Sequence, residues 1–216
     1  MDRYSPTPST TLHRIPDRGS YDRATVHAIL DEALFCHLGF VSDGRPFVIP
    51  TAFARDGEVL YVHGASASRA LRVLAGGAPI CVTATLLDGL VLARSAFHHS
   101  MNYRSVVVLG VAHEVTERRE KDRALSFFVE KVSRGRSAHV RAPSEKELHA
   151  TKVLTVALDE VSAKVRSGPP LDDEADAGVP VWAGVVPLGL RASAPEPDGA
   201  DAARFSAPTA GSWIRP

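Results

Sequence analysis

The sequence is short of the features that would assign it at a glance. Its 25 lysines and arginines balance 25 aspartates and glutamates, so it has no electrostatic footprint for nucleic acid or an anionic membrane surface, and neither partner is expected. Cysteine is scarce as well. Cys36 and Cys81 both lie inside apolar runs, LFCHLGFV and APICVTATLL, where a free cysteine acts as a small core residue, and two so far apart cannot build a cysteine zinc site. No apolar stretch approaches the roughly 18–20 residues of a membrane span. The opening MDRYSPTPSTTLHRIPDRGS has no apolar secretory core, so a cytoplasmic location is expected. The dinucleotide fingerprint G-x-G-x-x-G, the P-loop and the hydrolase elbow G-x-S-x-G are all missing.

What is present is a chain whose 44% hydrophobic residues suffice for one sizeable core. Residues 1–20 and 189–216 are rich in Pro, Ser, Ala and charge, which predicts a flexible arm and a flexible tail around a folded body at 21–188. Apolar residues spaced by three and four predict a helix over 21–34. CHLGFVS, RPFVIPTAFA and EVLYVHG, joined at Asp43-Gly44 and Asp56-Gly57, predict an antiparallel meander. Ser66–Leu74 reads as a short helix ended by Gly76-Gly77. APICVTATLL and LVLARSAF flank Asp88-Gly89, a third expected hairpin, before SVVVLGVAHEV; KVLTVALDEVSAKVRSG and PVWAGVVPL supply the last strands. A helix is expected from Thr116 to Ser133, and Ser144 with Glu147 spells a capping box. The sum is an α+β fold, an antiparallel six-to-eight-stranded β-barrel with flanking helices.

Two segments carry chemistry. In YVHGASASRALRVL a strand hands over to a helix through Ser66, Ser68 and Arg69, with Arg72 one turn on. Helix-start amides, two hydroxyls and a guanidinium make an anion cradle, unless Ser66 only caps the helix and the arginines are solvated. Tyr61 and His63 share one face of the preceding strand, either flanking a bound ring or serving the core. In SAFHHSMNYRS, His98, His99, Ser100, Asn102, Tyr103 and Arg104 crowd a connection that a plain turn would not need. Adjacent histidines point to opposite sides, and no carboxylate lies at ligand spacing, so no metal site is expected; acid–base or hydrogen-bonding work on a ligand suits them better.

The order of GFVSDGRPFVIPTAF, LYVHGASASRALRVL, ICVTATLLDGLVLARSAFHHSMNYRSVVVLG, KVRSGPPLDD and PVWAGVVP resembles the pyridoxamine 5'-phosphate oxidase-like flavoproteins, the FMN-binding split barrels, within the branch that includes nitroimidazole-resistance proteins. The resemblance implies the split form of that β-barrel, and a homodimer with FMN at the subunit interface. Val48, Ile49, Pro50 and Thr51 would run along the flavin ring; Tyr61, Val62 and His63 would line it; Ser66, Ser68 and Arg69 would take its phosphate. Tyr103, Arg104 and Ser105 would add polar contacts, and Trp182 would reach across the dimer. Ala183 and Gly184 follow Trp182 where the oxidases carry an R-x-H element, and Thr51, Ala52 and Phe53 stand where they place a lysine. Pyridoxamine phosphate is therefore not the expected substrate.

The resulting expectation is an FMN-dependent oxidoreductase, with His63, His98 or His99 as proton donor and a nitroaromatic or quinone-like small molecule as acceptor. Electrons would come from a reduced nicotinamide or a partner protein. The alternatives are a flavin-binding or storage protein without turnover, and a haem-binding split barrel using one of those histidines as axial ligand.

Overall fold

A computed structural model describes residues 2–202 and 204–207. Its frame is a closed ring of six antiparallel strands, with three more strands attached outside. β1 is Gly19–Ser20, β2 Phe35–Ser42, β3 Arg45–Asp56, β4 Val59–Ala65, β5 Pro79–Leu92, β6 Ser100–Glu114, β7 Thr151–Ala157, β8 Glu160–Arg166 and β9 Gly184–Pro187; the helices are α1 Arg23–Glu32, α2 Arg69–Ala75, α3 Arg118–Val132 and α4 Glu145–Ala150. The ring runs β6-β7-β4-β3-β2-β5 and back to β6. This is the antiparallel α+β barrel that the strand and turn pattern predicts, in the split form that the resemblance implies.

The barrel is split because long strands share their edges. One edge of β6 pairs with β8 at Tyr103–Leu109 and then with β7 at Ala112–Glu114. β5 pairs with β2 at Ile80–Thr83 and with β9 at Gly89–Leu92. β3 pairs with β2 along its length from Arg45 to Ala52, but meets β4 only from Phe53 to Asp56. Between β2 and β3 the two-residue turn places both Asp43 (φ 51°) and Gly44 (φ 70°) at positive φ, the geometry that matches strand twist.

Alternation along the strands sorts the faces. Leu38, Phe40, Val82, Val106, Val108, Leu154 and Val156 point into the barrel, and α1 adds Val26, Ile29 and Leu30. Asp22 caps α1 by accepting from the Thr25 amide. A second apolar layer lies outside the ring, where Ala124 and Phe128 of α3 cover Ala54, Tyr61 and Val153.

Several expectations shift in position. Asp88-Gly89 is no hairpin: β5 continues through it with a register shift between Leu87 and Gly89. A Cβ on Gly89 would stand 3.0 Å from Val185 Cγ1 and 3.1 Å from the Val186 carbonyl, so this glycine admits β9 rather than a turn. The chain reverses instead at residues 93–99. KVLTVALDEVSAKVRSG is two strands, β7 and β8, and Glu117 rather than Thr116 caps α3. Residues 2–20, expected as a loose arm, lie against the body: Tyr4 and Thr10 are buried, and β1 pairs with β8. Composition misses this because one aromatic anchor, Tyr4, does the packing. The expected tail at 189–216 is described only at residues 189–202 and 204–207, and its remaining positions lie outside the described residues.

Candidate functional site

β3 and β4 part company where their pairing stops at Phe53 and Val62. Beyond that point β3 has an edge with no strand partner among the described residues, from Arg45 to Ala52, and β4 runs through His63 to the start of α2. A groove opens between them.

On one bank, Pro46, Val48, Pro50 and Ala52 are exposed, and Phe47, Ile49 and Thr51 turn toward the core. On the other, Ser68 is the N-cap of α2, two residues later than the sequence suggests, and its hydroxyl caps nothing. Ser66 donates its amide to the Ala150 carbonyl at 2.8 Å, and Ser68 donates its amide to the Ala65 carbonyl at 2.9 Å; these bonds fix the turn and leave the hydroxyls open. Ser66, Ala67 and Arg69 are exposed. A Cβ on Gly64 would come 3.0 Å from Leu71 Cδ1, so glycine there lets α2 fold back onto β4.

The charges at this helix start do not balance. There is no acidic residue in its first turn, and among the described residues neither Arg69 nor Arg72 meets a carboxylate. The Arg69 guanidinium adds to the positive end of the helix dipole, while Arg72 lies in the last turn. The Arg69 guanidinium carbon instead lies 4.3 Å from the Phe47 ring centroid, bridging the groove. Such an arrangement is stabilised by an incoming anion.

The other expected site residues scatter. Tyr61 is buried beneath α3, 6.0 Å from the Phe127 ring, and Val62 points into the barrel. His63 shares the Tyr61 face: its ring is 4.1 Å from Phe128, its Nδ1 is buried with no hydrogen-bond partner among the described residues, and burial lowers its pKa. Arg104 is locked, with its Nη atoms 2.7 and 2.8 Å from Glu32, and its Nε and Nη2 both 2.9 Å from Asp88. Tyr103 and Ser105, its neighbours, lie on the opposite, outer face of the sheet. His99 Nδ1 is bonded to the Ser95 carbonyl at 2.9 Å, and His98 Nε2 lies 3.1 Å from Asp173. Trp182 is exposed and lies over Gly184.

That outer face holds what the sequence reading missed. Phe35, Val41, Val48, Leu87 and Met101 are all exposed there, an apolar area too broad for an ordinary strand face. His37 stands among them, opposite Pro50 on one side and Thr83 on the other, 5.6 Å from the Phe35 ring. The odd-numbered apolar positions of FCHLGFVS were the available signal. Also missed were Asp173 and Asp176, which the fold brings to His98 so that one donor atom of each lies within 4.8 Å of the others. Among the described residues, a cavity of about 550 Å3 lies between Phe35, Leu87 and Leu188–Leu190, and another of about 420 Å3 beside Lys131 and Arg55. Neither is lined by Ser66–Arg69, whose groove is open surface.

Comparison with known proteins places this geometry. The family model for pyridoxamine 5'-phosphate oxidase matches residues 22–165. The structure of the flavocytochrome Anf3 from Azotobacter vinelandii is similar at 41% identity and a TM-score of 0.88, covering 95% of this chain and 96% of that one. The FAD and haem binding protein from Mycobacterium smegmatis is 38% identical, with a TM-score of 0.81 over 85% of this chain and 91% of its own. A protein from Bacteroides thetaiotaomicron described as a 5-nitroimidazole antibiotic resistance protein shares the fold at 23% identity and a TM-score of 0.58, covering 68% of this chain and 86% of that one. No match is found among curated proteins. With the family model running from the cap of α1 into β8, over the whole ring that frames the groove, the chain belongs to the pyridoxamine 5'-phosphate oxidase family.

Proposed function

We propose that the chain is a flavin-binding redox protein that works as a pair of copies. The observation that carries this reading is the exposed, uncompensated start of α2 facing the unpaired edge of β3. Ser66, Ser68 and Arg69 would hold a flavin 5'-phosphate, and the β3 backbone from Val48 to Thr51 would meet the polar rim of the ring system. The residues fit: the groove offers free main-chain groups, two open hydroxyls and a guanidinium without a carboxylate. FMN and FAD share that phosphate. The sequence led to FMN, whereas the Mycobacterium smegmatis relative is named for FAD, and we take FAD as the flavin. When bound, a flavin supplies hydride and single-electron transfer.

The chain's own residues would bind, orient and shield. The apolar outer face, with Val48 68% and Val41 57% exposed, calls for cover, and a second copy would bring Tyr103 and Ser105 of its own sheet toward the groove. Arg104 lies outside the proposed contact set because Glu32 and Asp88 engage four of its five N–H donors. His63, His98 and His99 are also left outside: the first is under α3, the others are held in the turn before β6. The proposed reaction remains reduction of a small acceptor with electrons from a nicotinamide or a protein partner.

A second prosthetic group is supported by a separate observation. His37 is a lone imidazole on an apolar face, the setting that suits a haem ligand, and the Azotobacter vinelandii and Mycobacterium smegmatis relatives are named as a flavocytochrome and a FAD and haem binding protein. His37, rather than the three histidines expected from sequence, is the proposed axial ligand. The absorption spectrum of the purified full chain tests both parts. Flavin bands together with a Soret band are expected, the latter lost in His37→Ala; a protein that neither carries nor takes up flavin contradicts the proposal.

A further inference from the structure

We propose that His98, Asp173 and Asp176 form a binding site for a divalent transition-metal ion of the zinc type, which ties the β8–β9 connection to the β5–β6 turn. The residues come from two 3-10 turns. His98 ends Ala96–His98, while Asp173 caps and Asp176 ends Glu174–Asp176. At three residues per turn, Asp173 and Asp176 project from one side of theirs. The three donor atoms lie within 4.8 Å of one another, and His98 Nε2 is already 3.1 Å from Asp173 Oδ2. Ligands held about 2.0–2.2 Å from one zinc ion sit about 3–4 Å apart, so the widest pair of the set needs to close by up to about 1–2 Å, within the reach of side-chain rotation at exposed carboxylates.

Charge makes the same case independently. Asp172, one residue earlier, is neutralised: it accepts from the Arg94 amide at 2.8 Å and from the Arg94 guanidinium at 2.9 Å. Among the described residues, neither Asp173 nor Asp176 meets a lysine or arginine. Two carboxylates beside one imidazole therefore leave a local excess of negative charge. The His98 side chain is 22% exposed and that of Asp173 76%, so water can complete the coordination sphere. The turn also has an orphan, since the Ser95 hydroxyl is buried with no partner among the described residues. One imidazole and two carboxylates without thiolate select zinc and its neighbours over copper(I) or iron–sulfur clusters.

The Arg94–Asp172 pair and the buried Arg166, whose guanidinium donates to the carbonyls of Gly168 and Pro169 at 3.2 and 3.1 Å, already fasten the loop that leads to Trp182. The ion adds a third fastening, and it needs no flavin. Isothermal titration of the chelator-stripped full chain with zinc at pH 7 tests it. One saturable site is expected in the wild type and in His99→Ala, with binding weakened about tenfold or more in His98→Ala and in Asp176→Asn. Asp176→Asn serves if His98→Ala does not fold. No saturable site in the wild type, or wild-type affinity in both ligand variants, overturns the proposal.

Discussion

The guanidinium of Arg69 lies over the ring of Phe47, 4.3 Å from carbon to centroid, and so joins the first residue of α2 to a stretch of β3 that has no strand partner on that side among the described residues. Phe47 is itself stacked on Phe40 at 5.6 Å. The contact holds the guanidinium in place at the mouth of the groove without satisfying its hydrogen-bond donors. A planar cation that is positioned but unpaired is ready for an oxyanion.

Arg104 has the opposite fate, and replacing it separates architecture from binding. Its bonds to Glu32 and Asp88 hold its pKa above even the usual arginine value and link α1, β5 and β6. Arg104→Met leaves two partly buried carboxylates without that guanidinium. A loss of about 3 kcal/mol of stability is expected, measured by denaturant unfolding, while the folded fraction keeps its flavin affinity. Loss of affinity without loss of stability would return Arg104 to the contact set.

The N-terminal segment is held by Tyr4, whose hydroxyl donates to Glu58 at 2.7 Å beneath the Arg23 guanidinium. Burial alone would raise the Glu58 carboxyl, but bonds from Tyr4 and Arg23 outweigh it and hold the pKa below the ordinary 4.5. The unfolded state therefore binds this proton first as pH falls. The contribution of Glu58 is complete above that range and disappears through its lower folded value. Tyr4→Phe is expected to cost about 1 kcal/mol near neutral pH, with the gap to wild type closing in acid. A constant gap would mean that the hydroxyl does not depend on the carboxylate.

Lys131 is titratable in the alkaline direction. Its ammonium donates to the Leu30 carbonyl at 2.7 Å and sits 3.7 Å from the Phe53 ring centroid. Burial lowers its pKa from 10.5 to about 8, Asp31 opposing only in part. Between those values the unfolded chain holds a proton that the folded chain has released, so this group adds stability as pH rises from 8 to 10.5. The wild type should gain on Lys131→Met across that interval in denaturant midpoints. Parallel curves would contradict the buried position.

Local chemistry made much of the fold legible. Asp43-Gly44 needs positive φ and gives its hairpin; Ser144 and Glu147 form the expected capping box. The strand-to-helix handover at Ser66–Arg69 could be read because all its parts are local in sequence. Where structure and expectation differ in place, most cases depend on a neighbour distant in sequence and one on strand alternation. Gly89 looks like a turn until β9 is beside it. Tyr103, Arg104 and Ser105 read as one polar cluster, but strand alternation sends Arg104 to one face and its neighbours to the other. His98 finds Asp173 only because β8 and β9 bring that loop to the β5–β6 turn, and His37 is unremarkable until Phe35, Val48 and Pro50 surround it. Periodicity shows which residues share a face, but not what covers that face.

The central claim is that the start of α2 receives a flavin phosphate. Titrating flavin-free full chain with FMN and with FAD, in the wild type and in Arg69→Ala, tests it most directly. The account predicts binding in the wild type and a loss of about 1.5–3 kcal/mol in the variant for whichever flavin binds, the value of a charge-assisted hydrogen bond. Equal affinity in the two proteins would contradict it.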